Sequence, residues 1–353
     1  MSTPASAGDA AEPTQPVADR AHGSRRRLLA IADTNFIWVL LLLVMAVASL
    51  TSTSFLSASN LSNVLLASAS LGCLVIAQGL VLLTGNFDLS TESSMILSAI
   101  VGTIVMESAT GGTVLGTEAG GLGWPWWAGL IVMLVVPMFV GLLNGVMIVR
   151  LRMNPFMVTL AVSIILPGIA LILGEGQTLV NVPPDFRFLG RASIGPVPAA
   201  GIVLLVLFLV VHVLLSRTVF GRQLYAVGSN RHAARAAGIS DQRVIASAYI
   251  LCGLFVGFAA FLLVGRLGAA SAGISSGALF LSVAAAVIGG VSLTGGRGTA
   301  AGMLGGLLVI SVINNAMNLA NIAGNLIAIV AGSAILLAVF VDAIRSRRAS
   351  AAG

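Results

Sequence analysis

Apolar runs of membrane length recur along nearly the whole sequence, and no other feature constrains the fold as strongly. About 20 apolar residues cross the roughly 30 Å hydrocarbon core of a bilayer as an α-helix. With 58% hydrophobic and 8% charged residues, the 353-residue chain has too little polar surface to cover a soluble domain. We therefore predict an all-α, polytopic membrane protein with about ten transmembrane helices. The predicted spans lie near residues 36–51, 62–84, 90–108, 124–149, 156–174, 198–215, 244–265, 279–294, 299–320 and 325–342.

Arginine sets the predicted orientation, because all 18 Lys and Arg residues of the chain are arginine. If the N-terminus is cytosolic, ten crossings return the C-terminus to the cytosol and leave Arg187, Arg191 and Arg266 outside, with the other arginines inside. This bias agrees with the positive-inside rule. The predicted domains are a disordered cytosolic tail at 1–35, a membrane domain at 36–343 and a second cytosolic tail at 344–353.

The absence of lysine excludes two kinds of site. A standard P-loop needs a lysine to reach the nucleotide phosphates, and a Schiff-base site needs a lysine amine. His22, His212 and His232 are too scattered to indicate a metal site, and the arginine clusters lack the interleaved aromatic residues of a nucleic-acid surface. Cys73 and Cys252 fall within spans, where packing is a simpler role than a disulfide or a metal pair. We therefore expect no enzyme activity, bound cofactor or metal, and the remaining classes are transporter, channel and scaffold.

A polar, basic segment at 216–243 separates two apolar spans. Ser229 or Asn230 is suited to cap a helix start, because its side-chain oxygen accepts a hydrogen bond from a free N–H of the first turn. The alanine-rich run to Ala237 has high helix propensity, and Gly238 suits the left-handed position after a helix end. The segment is therefore predicted to contain a short cytosolic helix.

This predicted helix would present a small, positively charged face. Ala233 and Ala234 would let the groove of another protein approach closely, and Arg231 and Arg235 at i and i+4 would place two charges on one side. A solvated loop without a partner is the alternative interpretation.

Two carboxylates, Asp88 and Glu92, lie one helical turn apart at the start of a predicted span. Capping of the positive helix terminus is the simpler role. A gating or coupling role is the alternative, because ionisable residues at membrane depth are costly and often functional. Gating is also a candidate role for the paired glycines Gly289, Gly290, Gly295 and Gly296, which indicate a hinge or a broken helix in the short span at 279–294.

Four asparagines follow the spacing i, i+4, i+7 and i+11, which predicts one polar stripe at the outer end of the ninth span: Asn314, Asn318, Asn321 and Asn325. Because amides both donate to and accept from hydroxyls, the first three are candidates to line a sugar path. Hydrogen bonding between helices is the alternative.

Five sequence elements together resemble the ribose-type family of monosaccharide ABC transporter permeases. They are residues 85–90 (GNFDLS), 144–145 (NG), 154–160 (NPFMVTL), 218–239 (TVFGRQLYAVGSN, then AAR and GI) and 284–299 (AAAVIGGVSLTGGRGT). The resemblance extends over residues 36–343. It implies a multi-pass permease subunit in the bacterial inner membrane that imports a monosaccharide or related polyol.

The resemblance also implies partners. A periplasmic or lipid-anchored binding protein would deliver the substrate, a second permease copy or paralogue would complete the path, and a cytosolic ATPase would hold the ATP and Mg²⁺. The ATPase would dock on the 216–243 segment, for which the candidate residues are Gly221, Arg222, Tyr225, Asn230, Ala233, Ala234, Arg235 and Gly238.

The chain departs from the family pattern at two places. Thr91 and Glu92 stand where Val-Gly is common, and Leu279 and Leu281 stand where acidic residues usually precede the AAVIGG stretch. The first departure adds a charge and the second removes polar groups. An ion-coupled secondary transporter that uses Asp88 and Glu92 is the alternative function, whereas a passive channel or a scaffold fits the sequence less well.

Overall fold

The computed structural model describes residues 36–50, 52–107, 121–275 and 277–322, together with the helical residues 326, 329, 332, 333, 336 and 340. The predicted tails at 1–35 and 344–353, most of the predicted span at 325–342, and Asn325 lie outside the described residues.

The described chain consists of helices and one very short hairpin. The helices are α1 (Phe36–Leu50), α2 (Ala58–Leu83), α3 (Thr91–Met106), α4 (Trp126–Val149), α5 (Pro155–Leu173), α6 (Pro184–Arg191), α7 (Ala199–Arg217), α8 (Val219–Ser229), α9 (Arg231–Ala236), α10 (Asp241–Leu267), α11 (Ala278–Ile288) and α12 (Ala300–Leu319). Strands β1 (Ser193–Ile194) and β2 (Val197–Pro198) pair antiparallel between α6 and α7. The all-α prediction is confirmed for this part of the chain.

Each of the first nine predicted spans contains a helix, but only some of these helices are of membrane length. Within the described residues, α2, α4, α5, α7, α10 and α12 are long and apolar enough to cross a membrane. Helix α3 has 16 residues and α11 has 11, which at 1.5 Å per residue gives roughly 24 and 16 Å. Helix α11 alone is thus too short to cross the bilayer, which agrees with the broken span predicted at 279–294.

The centre of the bundle is formed by α2 and α10. In each of these two helices, 72% of an 18-residue apolar stretch is buried inside the protein, against 22% in α5. Helices α10 and α4 are in close contact at glycines. A Cβ on Gly141 or on Gly253 would collide with main-chain atoms of the facing helix. Gly141 and Gly145 of α4, like Gly253 and Gly257 of α10, lie four residues apart and so share one face of their helix. Such contact lets main chains approach where larger side chains would separate them.

Two local features of the sequence set the start of α5. Asn154 accepts a hydrogen bond from the Phe156 N–H at 2.9 Å, and Pro155 is the first residue of α5. Proline suits this position because its missing N–H would have no partner there in any case.

Three arginines lie together at the far end of α10 from α9. Arg191 of α6 donates to the main-chain oxygens of Arg266 and Leu267, and the side chain of Arg187 lies beside Gly268. Since α10 has 27 residues, its two ends are about 40 Å apart. The structure therefore separates the three arginines predicted to be outside from the 216–243 segment. Which end is cytosolic stays a prediction.

Candidate functional site

The 216–243 segment folds into two short helices, α8 and α9. Asn230 caps α9, accepting hydrogen bonds from the main-chain N–H groups of His232 and Ala233, each at 3.0 Å. Gly238 follows the helix with a φ of +79°, a conformation that L side chains rarely adopt. The predicted helix with its cap and glycine is thus confirmed. Helix α8 was missed, although Thr218 caps it in the same local way by accepting from the Gly221 N–H at 3.1 Å.

The predicted docking residues do not all lie on the surface. Arg222, Asn230, Ala233, Arg235 and Gly238 are exposed. In contrast, Gly221 and Ala234 are buried and Tyr225 is half-buried. Ala234 is 4% exposed and belongs to the core, so the interpretation that both alanines form the contact face is wrong for Ala234. One face of a helix of six residues turns inward, and spacing alone did not show which.

Both arginines of α9 bind within the chain. Arg231 donates to the Asn86 side-chain oxygen at 2.9 Å. Arg235 donates two hydrogen bonds to the Asp241 carboxylate, at 2.7 and 3.0 Å. The Arg235 side chain is nevertheless 57% exposed. Arg231 therefore links α9 to the loop between α2 and α3, whereas Arg235 joins α9 to α10 and remains accessible.

Helix α8 is attached to the loop that follows α11. The Tyr225 hydroxyl donates to the Gly298 carbonyl oxygen at 2.7 Å. Burial raises the pKa of Tyr225, so its hydroxyl stays protonated and remains a donor. The Gly296 N–H donates to the Leu83 carbonyl at the end of α2 at 3.0 Å, and a Cβ on Gly228 would collide with both groups. We call these five residues, from three segments of the chain, the α8 junction.

The predicted gating glycines lie where α11 ends. Gly289 follows the last residue of α11, and the chain stays non-helical until α12 begins at Ala300. Gly290, Gly295 and Gly296 have φ values of +88°, +89° and +72°. The broken helix is confirmed, and its physical reason is that these three positions adopt left-handed conformations that suit glycine. A hinge motion there stays a prediction.

Asp88 and Glu92 have different partners and do not act as a pair. Asp88 precedes α3, and one carboxylate oxygen accepts from the Ser90 N–H at 2.8 Å and the Ser90 hydroxyl at 2.6 Å. Glu92 lies in the first turn of α3 and accepts from the Leu279 N–H of α11 at 2.9 Å. Capping was predicted for the span that these carboxylates begin, whereas Glu92 accepts a hydrogen bond from the start of a different helix, α11.

Polar side chains of the spans hold the Asp88 loop in place. Asn144 of α4 donates to the Ser90 hydroxyl at 2.9 Å, and Tyr249 of α10 donates to the Phe87 carbonyl at 2.7 Å. The thiol of Cys252 is 3.7 Å from the second Asp88 carboxylate oxygen. None of these three residues was predicted to have such a role. The available signal was the presence of isolated polar groups inside otherwise apolar spans, since buried polar groups need partners.

The asparagine stripe is shorter than predicted. Asn314 and Asn318 lie on α12, where the Asn318 amide donates to the Asn314 carbonyl at 2.8 Å. Helix α12 ends at Leu319, and Asn321 lies beyond it with a φ of +53°. Asn321 therefore does not continue the helical face, because the helix stops before it.

The asparagine that joins two helices is Asn315, which the spacing argument did not select. Asn315 and Asn60 of α2 exchange hydrogen bonds through their side-chain amides at 2.9 and 3.0 Å. The alternative of hydrogen bonding between helices is thus realised by a neighbour of the stripe. Of the two stripe residues on α12, Asn318 is exposed and Asn314 is half-buried.

Comparison with known proteins gives a consistent result. Residues 60–341 match the family described as "Branched-chain amino acid transport system / permease component". The L-arabinose ABC transporter permease protein AraH of Azospirillum brasilense is 34% identical over 92% of this chain and 91% of its own length. The ribose import permease protein RbsC of Bacillus subtilis is 32% identical over 86% and 90%, and the fructose import permease protein FrcC of Rhizobium meliloti is 31% identical over 86% and 83%. No solved structure matches the chain significantly.

Proposed function

The chain belongs to the family of branched-chain amino acid transport system permease components, among the permeases of monosaccharide ABC transporters, and from this membership we propose that it is the transmembrane subunit of a bacterial ABC importer. Its substrate is a monosaccharide or a similar small polar solute. It works in the inner membrane with a second permease copy or paralogue, a substrate-binding protein and a separate ATPase that holds ATP and Mg²⁺.

The arrangement of α8 and α9 is the observation that best supports this function. Their outer face presents Arg222, Ala233 and Arg235 to solvent, while their inner face is attached to three other parts of the chain. The α8 junction connects to the end of α2 and to the loop after α11, and Arg231 connects to the loop before α3. A partner that moves these two short helices therefore acts on three membrane helices at once.

The ATPase drives transport through these contacts. Closure of the ATPase around ATP shifts the permease between outward-open and inward-open states, because it binds the two states with different affinity. The exposed part of the docking surface consists of Arg222, Asn230, Ala233, Arg235 and Gly238. The buried Gly221 and Ala234 and the half-buried Tyr225 serve the same function from inside, by shaping α8 and α9 and holding them to the bundle.

Asn314 and Asn318 border the solute path in this proposal. An amide both donates and accepts, so it replaces part of the hydration shell that a sugar hydroxyl loses on entering the membrane. Asn321 lies past the end of α12 and contributes only at the mouth of the path.

Reconstitution tests the function. The permease, its ATPase and its binding protein are placed in liposomes, and uptake of radiolabelled monosaccharides is measured with ATP, without ATP and without binding protein. We expect uptake only when all components are present. Uptake driven by an ion gradient, without ATP or ATPase, would instead identify a secondary transporter.

The docking surface is tested by copurification of the ATPase with permease variants. Ala233→Trp should abolish copurification, because a large side chain on the exposed face of α9 holds the partner away. Ala320→Trp is the matched control, since Ala320 is also an exposed alanine but follows a 20-residue helix and so lies about 30 Å from the α8 junction. Equal ATPase recovery with both variants would contradict docking on α9.

A further inference from the structure

Helix α11 begins inside the bundle without a cap from its own sequence. Its N-cap position is Gly277, with a φ of +82°, and its first turn has no acidic residue. The first N–H groups of any α-helix have no partner within the helix. In a helix too short to cross the bilayer, these unpaired N–H groups are costly in free energy, because no water is available in the hydrocarbon core to bind them.

The missing cap comes from a residue 187 positions away in the sequence. The Glu92 carboxylate accepts a hydrogen bond from the Leu279 N–H at 2.9 Å. Glu92 also lies in the first turn of its own helix α3. The positive N-terminal ends of two helices therefore meet at one half-buried carboxylate, and each end favours the negative charge.

The contact supplies from α3 what α11 lacks. The carboxylate comes from Glu92, and the main-chain N–H that binds it comes from Leu279 in the first turn of α11. The negative charge that α11 lacks in its own first turn is thus provided by the neighbouring helix.

We propose that Glu92 is a positioning residue that holds the N-terminus of α11 against the N-terminus of α3, so that the two helices move together during transport. The other end of α11 leads into the loop that Tyr225 of α8 binds. The start of α3 follows the loop that Arg231 of α9 binds. Motion of α8 and α9 therefore reaches α11 at both ends. It reaches the C-terminal end through the loop that Tyr225 binds, and the N-terminal end through α3 and Glu92. This role rests on the proposed transport function.

Hydrogen–deuterium exchange of the purified full-length permease tests the contact without any partner. Three variants are compared with the unsubstituted protein: Glu92→Leu, Glu92→Gln and the control Asp185→Leu. Glu92→Gln keeps an acceptor oxygen. Asp185 is an acidic residue in the first turn of α6 and is exposed.

We expect amides at 277–282 to exchange about fivefold faster in Glu92→Leu, the effect of losing a typical helix cap. The Glu92→Gln variant should stay near the unsubstituted rate, and Asp185→Leu should not change it. Unchanged exchange at 277–282 in Glu92→Leu would overturn the capping contact.

Uptake by the assembled transporter tests the positioning role. We expect Glu92→Leu to lower the maximal uptake rate per inserted molecule about fivefold or more, and Glu92→Gln to retain most of it. Faster exchange of α11 combined with normal uptake in Glu92→Leu would overturn the positioning role. If the unsubstituted transporter shows no ATP-driven uptake, the proposed function fails, yet the exchange experiment still decides whether Glu92 holds α11.

Discussion

Replacing Tyr225 by phenylalanine should separate docking of the ATPase from transport. The substitution keeps the ring in place and removes the hydroxyl that donates to the Gly298 carbonyl at 2.7 Å. A hydrogen bond of this kind contributes about 1 kcal/mol net, and an unsatisfied carbonyl adds to the loss. The attachment of α8 to the loop after α11 should therefore weaken by about 1–2 kcal/mol, which raises the population of the detached state roughly 5-fold to 30-fold.

The assay measures uptake and ATP hydrolysis side by side in liposomes. Because the outer face of α8 and α9 is unchanged, Tyr225→Phe should bind the ATPase normally. Uptake per ATP hydrolysed should fall about fivefold or more, because a permease whose α8 is detached from the loop after α11 does not transmit the motion of the ATPase to α11.

Ser98→Ala is the matched control for this prediction. Ser98 is fully buried, and its hydroxyl donates to the Met133 carbonyl at 2.6 Å between α3 and α4, away from α8. This variant loses a comparable hydrogen bond, and its uptake per ATP should stay close to that of the unsubstituted protein. If Tyr225→Phe and Ser98→Ala give the same uptake per ATP, the Tyr225 contact does not transmit the motion of α8.

Three further predictions concern packing, the second link to α9 and the solute path. Gly253→Ala should destabilise the protein by about 1–3 kcal/mol, because the added Cβ collides with the Pro137 carbonyl. Gly168→Ala is the control and should not destabilise it, because no atom lies within 4 Å of that Cβ. Equal thermal unfolding midpoints for the two variants would contradict the packing argument. Arg231→Gln should lower uptake, because it breaks the contact with Asn86. Arg243→Gln, at an exposed position, is the control and should leave uptake unchanged. Equal uptake by the two variants would refute the role of Arg231 in linking α9 to the loop before α3. Asn318→Leu should change substrate affinity more than expression. Asn315→Leu should instead lower thermal stability, because it breaks the hydrogen bond to Asn60. Normal substrate affinity in Asn318→Leu would place the solute path elsewhere.

The sequence alone determined the features that depend on neighbouring residues. The first nine apolar spans each contain a helix, because apolar length predicts helices in a membrane protein directly. Asn230 caps α9 as expected, and Asn154 caps α5 in the same local way, since an N-cap bonds to N–H groups two or three residues ahead. Glycines at four-residue spacing on α4 and α10 lie on one face of each helix, since four residues make about one turn, and their small size allows the close contact.

The bounds of short elements were less predictable. Helix α8 was missed although Thr218 is a favourable cap, because its helix carries no alanine-rich run. The asparagine stripe failed at Asn321 because this residue itself ends α12. It follows the C-cap with a left-handed φ of +53°, a position that suits asparagine as well as glycine, and the Ile322 N–H bonds back to the Met317 carbonyl.

Only the tertiary structure decided which polar groups meet. Glu92 caps α11 and Arg231 binds Asn86, contacts that join residues 187 and 145 positions apart. Ala234 turned out to be buried beside an exposed Ala233. The physical reason is the same in each case: helix formation is set by local hydrogen bonds and side-chain periodicity, whereas the partner of a polar side chain depends on how the helices pack. Packing in turn follows from backbone contacts at glycines of different helices, and no single segment contains that information.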